Sequence, residues 1–149
     1  MKDNTAVKDN VKVVLKGPDG EVKQQITGHN LVVNDGQAHV ADQLASTPSD
    51  SAMSHMAIGE GTNAVSATQT ALQDELDRTT LDSRTSDSDT VTYQASWGPG
   101  AGTGAITEYG IFNDSSAGTM LARFVDNVIN KGEDDSLEVE WTVTFNIPS

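Results

Sequence analysis

Three histidines, three arginines and 22 carboxylates, with no cysteine, are the groups this 149-residue chain offers for chemistry. The missing thiols exclude disulfides, thiolate metal sites and cysteine nucleophiles. His29, His39 and His55 stand too far apart for a local ligand pair of the His-x-x-x-His kind, so they read as ordinary surface or half-buried histidines. Gly98-Pro-Gly-Ala-Gly-Thr-Gly104 has the look of a phosphate loop. Such loops lead into a helix N-terminus, whereas here a strand pattern follows and no Gly-Lys-Ser/Thr is present. The stretch therefore reads as a flexible connection that a neighbouring subunit could order. Two acidic segments, Asp82–Asp89 and Gly132-Glu-Asp-Asp-Ser136, are rich enough in oxygen for a hard cation. The first lacks EF-hand spacing and the second has the composition of a solvated hairpin turn. There is no Gly-x-Ser-x-Gly elbow and no diagnostic His–carboxylate spacing, and nothing selects one carboxylate pair from 22 for glycoside hydrolysis. The expectation is a non-enzymatic chain without cofactor or metal.

The arginines suggest structural chemistry. Arg78 and Arg123 sit beside apolar strand residues, as do Glu75 and Glu108. A planar guanidinium can hold a carboxylate through two parallel hydrogen bonds. At least one of these arginines is expected to pair with Glu75 or Glu108 at the edge of the core.

The elements that must position these groups are mostly strands. Residues 11–16 (VKVVLK) and EVKQQITG flank the turn Gly17-Pro18-Asp19-Gly20 and read as a hairpin. Residues 1–10 read as a mobile or assembly-dependent arm, leaving 11–149 as one domain. Val33, Val40, Ala41 and Leu44 share a helical face, which predicts a helix over about 36–45 capped by Asn34 or Asp35. MSHMAI (53–58) reads as a strand. A second short helix is expected after Ser66 or Thr68, with Ala71, Leu72 and Leu76 as its apolar side, then a strand through about 84.

The second half alternates with period two. Val91, Tyr93, Ala95 and Trp97 share one face, ITEYGIFN (with Ile111) and TMLARFV follow, and Leu137, Val139, Trp141, Val143 and Phe145 point one way in the last strand. Seven or eight strands with regular turns and two short helices predict a mainly β fold, an antiparallel β-sandwich or jelly-roll-like domain.

Net charge is −13, with 15 Asp against 7 Glu. Its distribution is uneven: residues 1–23 carry five lysines (Lys2, Lys8, Lys12, Lys16, Lys23) and four acids, while the remainder carries four cations and 18 acids. Such a surface repels phosphate backbones, so direct nucleic-acid binding is not expected. No segment approaches the roughly 18 apolar residues of a membrane span, and MKDNTAVKDN does not read as a secretory signal. The acidity fits either a solvated surface or adaptation to high salt, where a Debye length of about 3 Å at 1 M screens mutual repulsion.

From residue 30 to about 146 the order of motifs resembles small virion proteins of tailed phages and archaeal tailed viruses, of the head decoration, cement or tail-fibre-like kind. The resemblance rests on Asn30-Leu-Val-Val33, Ala57-Ile-Gly-Glu-Gly-Thr62 and Thr70-Ala-Leu-Gln-Asp-Glu-Leu-Asp-Arg78, then on Ile106-Thr-Glu-Tyr-Gly-Ile-Phe-Asn113, Leu121-Ala-Arg-Phe124 and the alternating last strand. It implies a virion structural role: a decoration or cement protein on the capsid exterior, contacting the major capsid protein or other virion proteins. A tail, baseplate or short-fibre component is the alternative. No shaft-forming segment is visible, which favours a plug on a shell, with the lysine-bearing first 23 residues as the contact. Open sheet edges suggest a homo-oligomer, a trimer in the first instance. A third reading, a carbohydrate-binding sandwich, would use Tyr93, Trp97, Tyr109 and Trp141 as a stacking platform.

Overall fold

A computed structural model describes residues 7–145, with side chains from Asn10 onward. The chain is mainly β, with two antiparallel five-stranded sheets and one short helix. Its elements are β1 (Val7–Lys16), β2 (Val22–Gly28), β3 (Leu31–Val32), α1 (Asn34–Gln43), β4 (His55–Gly59), β5 (Glu75–Thr80), β6 (Ser83–Asp87), β7 (Thr90–Trp97), β8 (Gly104–Phe112), β9 (Met120–Lys131) and β10 (Ser136–Phe145). One sheet has the order β2-β1-β10-β7-β6 and the other β3-β9-β8-β4-β5.

The period-two patterns became strands because each has one face to bury. Val11, Val13 and Leu15 of β1, Tyr93, Ala95 and Trp97 of β7, and Leu137, Val139, Trp141 and Val143 of β10 turn inward. They meet Ile58 of β4, Ile106, Tyr109 and Ile111 of β8, and Leu121, Phe124 and Ile129 of β9 in one core. Phe124 joins the sheets through an edge contact with Trp141, ring centroids 6.5 Å apart, and a tilted contact with Tyr109 at 5.5 Å. Burying the two tryptophans and their neighbours is the main stabilising term, about 25 cal/mol per Å² of apolar surface. The Gly17–Gly20 turn closes the β1–β2 hairpin, with the Gly20 N–H donating to Gly17 O.

Several expectations change. The strand that opens the fold begins at Val7 and pairs residue by residue with β10, from Val7 opposite Phe145 to Lys16 opposite Ser136, so residues 7–10 are sheet and not an arm. Residues 1–6 lie outside the described chain. The expected strand running to 84 divides into β5 and β6, which belong to different sheets, and the described residues form ten strands.

The helix begins two residues early. Its N-cap is Val33, without a side-chain cap, and Asn34 and Asp35 fall inside the first turn. Two of the four N–H groups that the helix start leaves without intrahelical partners are met by other segments: Val33 N–H donates to Leu121 O and Asn34 N–H to Ala67 O. The buried helix positions are Gly36 and His39, while Ala41 and Leu44 are exposed. Gly36 crosses β9 so closely that a Cβ would lie 2.0 Å from Leu121 O. Helical spacing was right, but the face was set by this crossing.

The second helix does not form. Residues 60–74 run as turns and extended chain over the outer face of the β8–β4 sheet, with Leu72 buried against Phe112, Met120, Ala57 and Val33 in a small second core. Two core assignments also shift: Val91 is only partly buried, and Phe145 is 36 % exposed, at the end of β10.

Candidate functional site

The strongest concentration of polar chemistry is built on the outer face of the second sheet. Glu108 of β8 and Arg123 of β9 are both fully buried. In the β8–β9 ladder Glu108 lies opposite Val125 and Gly110 opposite Arg123, which makes the two side chains diagonal neighbours. Arg123 donates from Nε at 2.9 Å and from Nη2 at 2.7 Å to Glu108 Oε2. Backbone N–H groups complete the carboxylate: Gly61 at 3.0 Å and Asp74 at 2.7 Å to Oε1, and Gln73 at 2.9 Å to Oε2. The far side of the guanidinium donates to Asn63 O, Asn63 Oδ1 and Gln69 Oε1.

This arrangement explains the missing helix. Glu108 uses the N–H groups of Gln73 and Asp74, which a helix continuing through them would direct to its own carbonyls. It also explains Gly59-Glu60-Gly61. A Cβ at Gly61 would lie 2.5 Å from Glu108 Oε1 and 2.5 Å from Gln73 Cβ, so only a glycine lets the backbone reach the carboxylate. Burial pushes the Glu108 carboxyl up, but the N–H groups of Asp74 and Gln73, Arg123 and the N–H of Gly61 together hold it below the ordinary value.

Arg78 and Glu75 form a second clamp at the edge of the same sheet. Arg78 donates Nε to Glu75 Oε2 at 3.1 Å and Nη2 to Oε1 at 2.7 Å, a bidentate pair. Its Nη1 reaches Asp114 O at 3.0 Å and Ala117 O at 2.9 Å, and the guanidinium carbon stands 3.8 Å over the Phe112 ring. Thus all four residues expected to form ion pairs do so, as Glu75–Arg78 and Glu108–Arg123. Each pair fixes a connecting segment, 61–74 in one case and 114–117 in the other.

Other polar contacts join residues that nothing in the sequence pairs. Asp50 accepts from Asn113 Nδ2 at 2.7 Å and Thr119 Oγ1 at 3.1 Å, and lies 3.1 Å from His39 Nδ1. The hydrogen bond to His39 is foremost in keeping its carboxyl low, against the opposing effect of burial. Asp42 caps the same loop through Ser49, whose hydroxyl donates at 2.7 Å. Asp135 is buried rather than solvated: it accepts the Gly132 N–H at 2.8 Å and the Lys23 ammonium at 3.0 Å. Lys131 is also buried, donating to Gly98 O at 3.0 Å. Residues that converge from positions 50, 113 and 119 share no sequence pattern, so only the register of the strands brings them together.

Of the five lysines near the start of the chain, three have described side chains. Lys16 bridges to Glu138 at 3.1 Å and Lys23 to Asp135. Lys12 stands opposite Glu140 in the ladder. The side chain of Lys8 and all of Lys2 lie outside the described residues. Tyr93, Trp97, Tyr109 and Trp141 are each buried, so they form no platform for stacking a sugar. Among the described residues no group of three His, Asp or Glu side chains is placed to hold a metal ion, and no helix is long and apolar enough to cross a membrane. Comparison with protein-family models, curated proteins and solved structures finds no match.

Proposed function

We propose that this chain is a structural protein of a tailed-virus particle, a decoration or cement protein that binds the outside of the capsid shell and stabilises it through subunit contacts. One observation carries the reading: the ion pairs with the most reactive-looking geometry are consumed internally. Glu108 meets five donors from Arg123 and three backbone groups, and Arg78 meets Glu75 and two carbonyls. Groups so committed lock connecting segments onto a rigid sheet. That suits a body whose work is to fit against neighbours. The motifs named for the resemblance coincide with this framework: Gly59–Gly61, Glu75–Arg78, Glu108 and Arg123 are its working parts.

The two-sheet body is best described as sandwich-like. Neighbouring hairpins β1–β2, β4–β5, β6–β7 and β8–β9 favour a simple sandwich over a jelly roll. The surface offered to a shell is the outer face of the first sheet. There Lys12 and Lys16 alternate with Glu138 and Glu140 amid threonines such as Thr92 and Thr142, whose hydroxyls lie 3.2 Å apart. A closed homo-oligomer, with a trimer as the first candidate, would multiply such contacts.

The test uses shells assembled without the protein. Added chain is expected to bind them saturably, to raise their melting temperature, and to appear on their exterior by electron microscopy. Absence of binding sinks the proposal; density in the tail moves the protein to that structure. Light-scattering mass measurement reads the oligomeric state directly.

A further inference from the structure

The core is not sealed at one end. α1 packs on β9, and a cleft of about 340 Å³ is lined jointly by α1 and by strands β6, β7 and β10 of the first sheet. Val40 and Leu44 of α1 face Val91, Tyr93, Val143 and Phe145 across it. Its walls include Leu44, at 83 % the most exposed large hydrophobic side chain of the described residues, and Phe145, 36 % exposed.

Charge marks this cleft out. The protein has 22 carboxylates, yet none of the described residues lining the cleft is acidic. Asp50, behind His39, is occupied by Asn113, Thr119 and His39. The permanent charge at the cleft is Arg84, one of three arginines. Its Nη1 donates to Met53 O, which fixes the side chain at the rim, and its other guanidinium N–H groups have no partner among the described residues. The Tyr93 hydroxyl, on the neighbouring strand and opposite Arg84 in the ladder, likewise has none. An apolar slot with two unused donors at its edge is complementary to a ligand with an apolar body and one negative head.

We propose that this cleft binds a small monocarboxylate with an extended apolar body, its chain between α1 and the sheet and its carboxylate on Arg84 and Tyr93. The volume lies at the small-ligand end of known pockets, roughly 300–1,000 Å³. An anion is drawn there because Arg84 presents a cation at an apolar cleft whose described lining residues carry no carboxylate.

Decanoate is the probe, titrated calorimetrically into the full chain, with decan-1-ol and decylammonium as comparisons. Saturable binding of decanoate is expected, with both comparisons weaker by about tenfold or more, the worth of one charge-assisted hydrogen bond. Backbone amide shifts should map to Val40, Leu44, Tyr93 and Phe145. Arg84→Gln should weaken decanoate about tenfold and leave decan-1-ol nearly unchanged. Because Arg84 also tethers Met53, Leu44→Glu is the second variant: Leu44 is exposed, so the fold tolerates it, and the new carboxylate should repel decanoate but not decan-1-ol. No binding of decanoate, equal affinity for decan-1-ol, indifference to both variants, or shifts elsewhere would overturn the proposal. Binding that appears only after deletion of residues 146–149 would also overturn it, since the occupant would then be the chain's own end.

Discussion

Replacing Arg123 by methionine tests the centre of the framework. The substitution keeps an unbranched side chain of similar length but leaves Glu108, which is fully buried, without its guanidinium. Removing one member of a buried pair costs about 3–5 kcal/mol, because the remaining charge is desolvated and uncompensated. Three backbone N–H groups still serve Glu108, so the loss should fall near the lower end, about 3 kcal/mol. A chain of this size has a total stability of roughly 5–15 kcal/mol and shifts its melting temperature by about 2–4 °C per kcal/mol, so a fall of roughly 6–12 °C is expected. Urea unfolding followed by tryptophan fluorescence is the assay, since Trp97 and Trp141 are both buried. Glu108→Gln should cost a similar amount. The double variant should cost less than the sum, with a coupling of about 1–3 kcal/mol. Protons add a second reading. The folded Glu108 carboxyl titrates below its ordinary value of 4.5, so its stabilisation is complete above that pH and fades as pH falls toward the folded value. Glu108→Gln should therefore flatten the acid limb of the stability curve. Losses under about 1 kcal/mol for both single variants, adding without coupling, would show that the pair does not hold the 61–74 segment.

Gly61→Ala should destabilise by about 1–3 kcal/mol in the same assay, since the added methyl must displace Glu108 or Gln73; a neutral result would mean that the segment can rise without loss. Phe145→Ser should cost under about 1 kcal/mol whereas Trp141→Ala should cost about 3–5, because one ring is partly exposed and the other fully buried; equal losses would place Phe145 back in the core. With a net charge of −13, raising sodium chloride from about 0.1 to about 1 M should raise the melting temperature through screening. A melting temperature that falls over that range would remove acidic repulsion, and with it the high-salt reading, as a factor in stability.

Much of the β framework was legible because its signals are local. Tyr93, Trp97, Leu137, Val139, Trp141 and Val143 lie in phase with a period of two, and a half-buried strand needs nothing more to declare itself. The turn at Gly17–Gly20 is equally local. Residues 66–76 show the opposite case. Ala71, Leu72 and Leu76 have helical spacing, but the N–H groups of Gln73 and Asp74 are taken by a carboxylate more than 30 residues away. Phe145 keeps the phase of β10, yet phase cannot say where the covering layer stops.

The sequence by itself determined which residues alternate, where the chain turns, that the surface is acidic, and that Glu75, Arg78, Glu108 and Arg123 have the chemistry to pair. Tertiary structure alone decided that Glu108 meets Arg123 at zero exposure, that the strand expected to run to residue 84 divides between two sheets, and that Arg84 stands at a cleft whose described lining residues include no carboxylate. The physical reason is range. Propensity and periodicity act over a few residues, whereas burial and the satisfaction of buried polar groups are fixed by whichever distant segments the sheet register brings into contact.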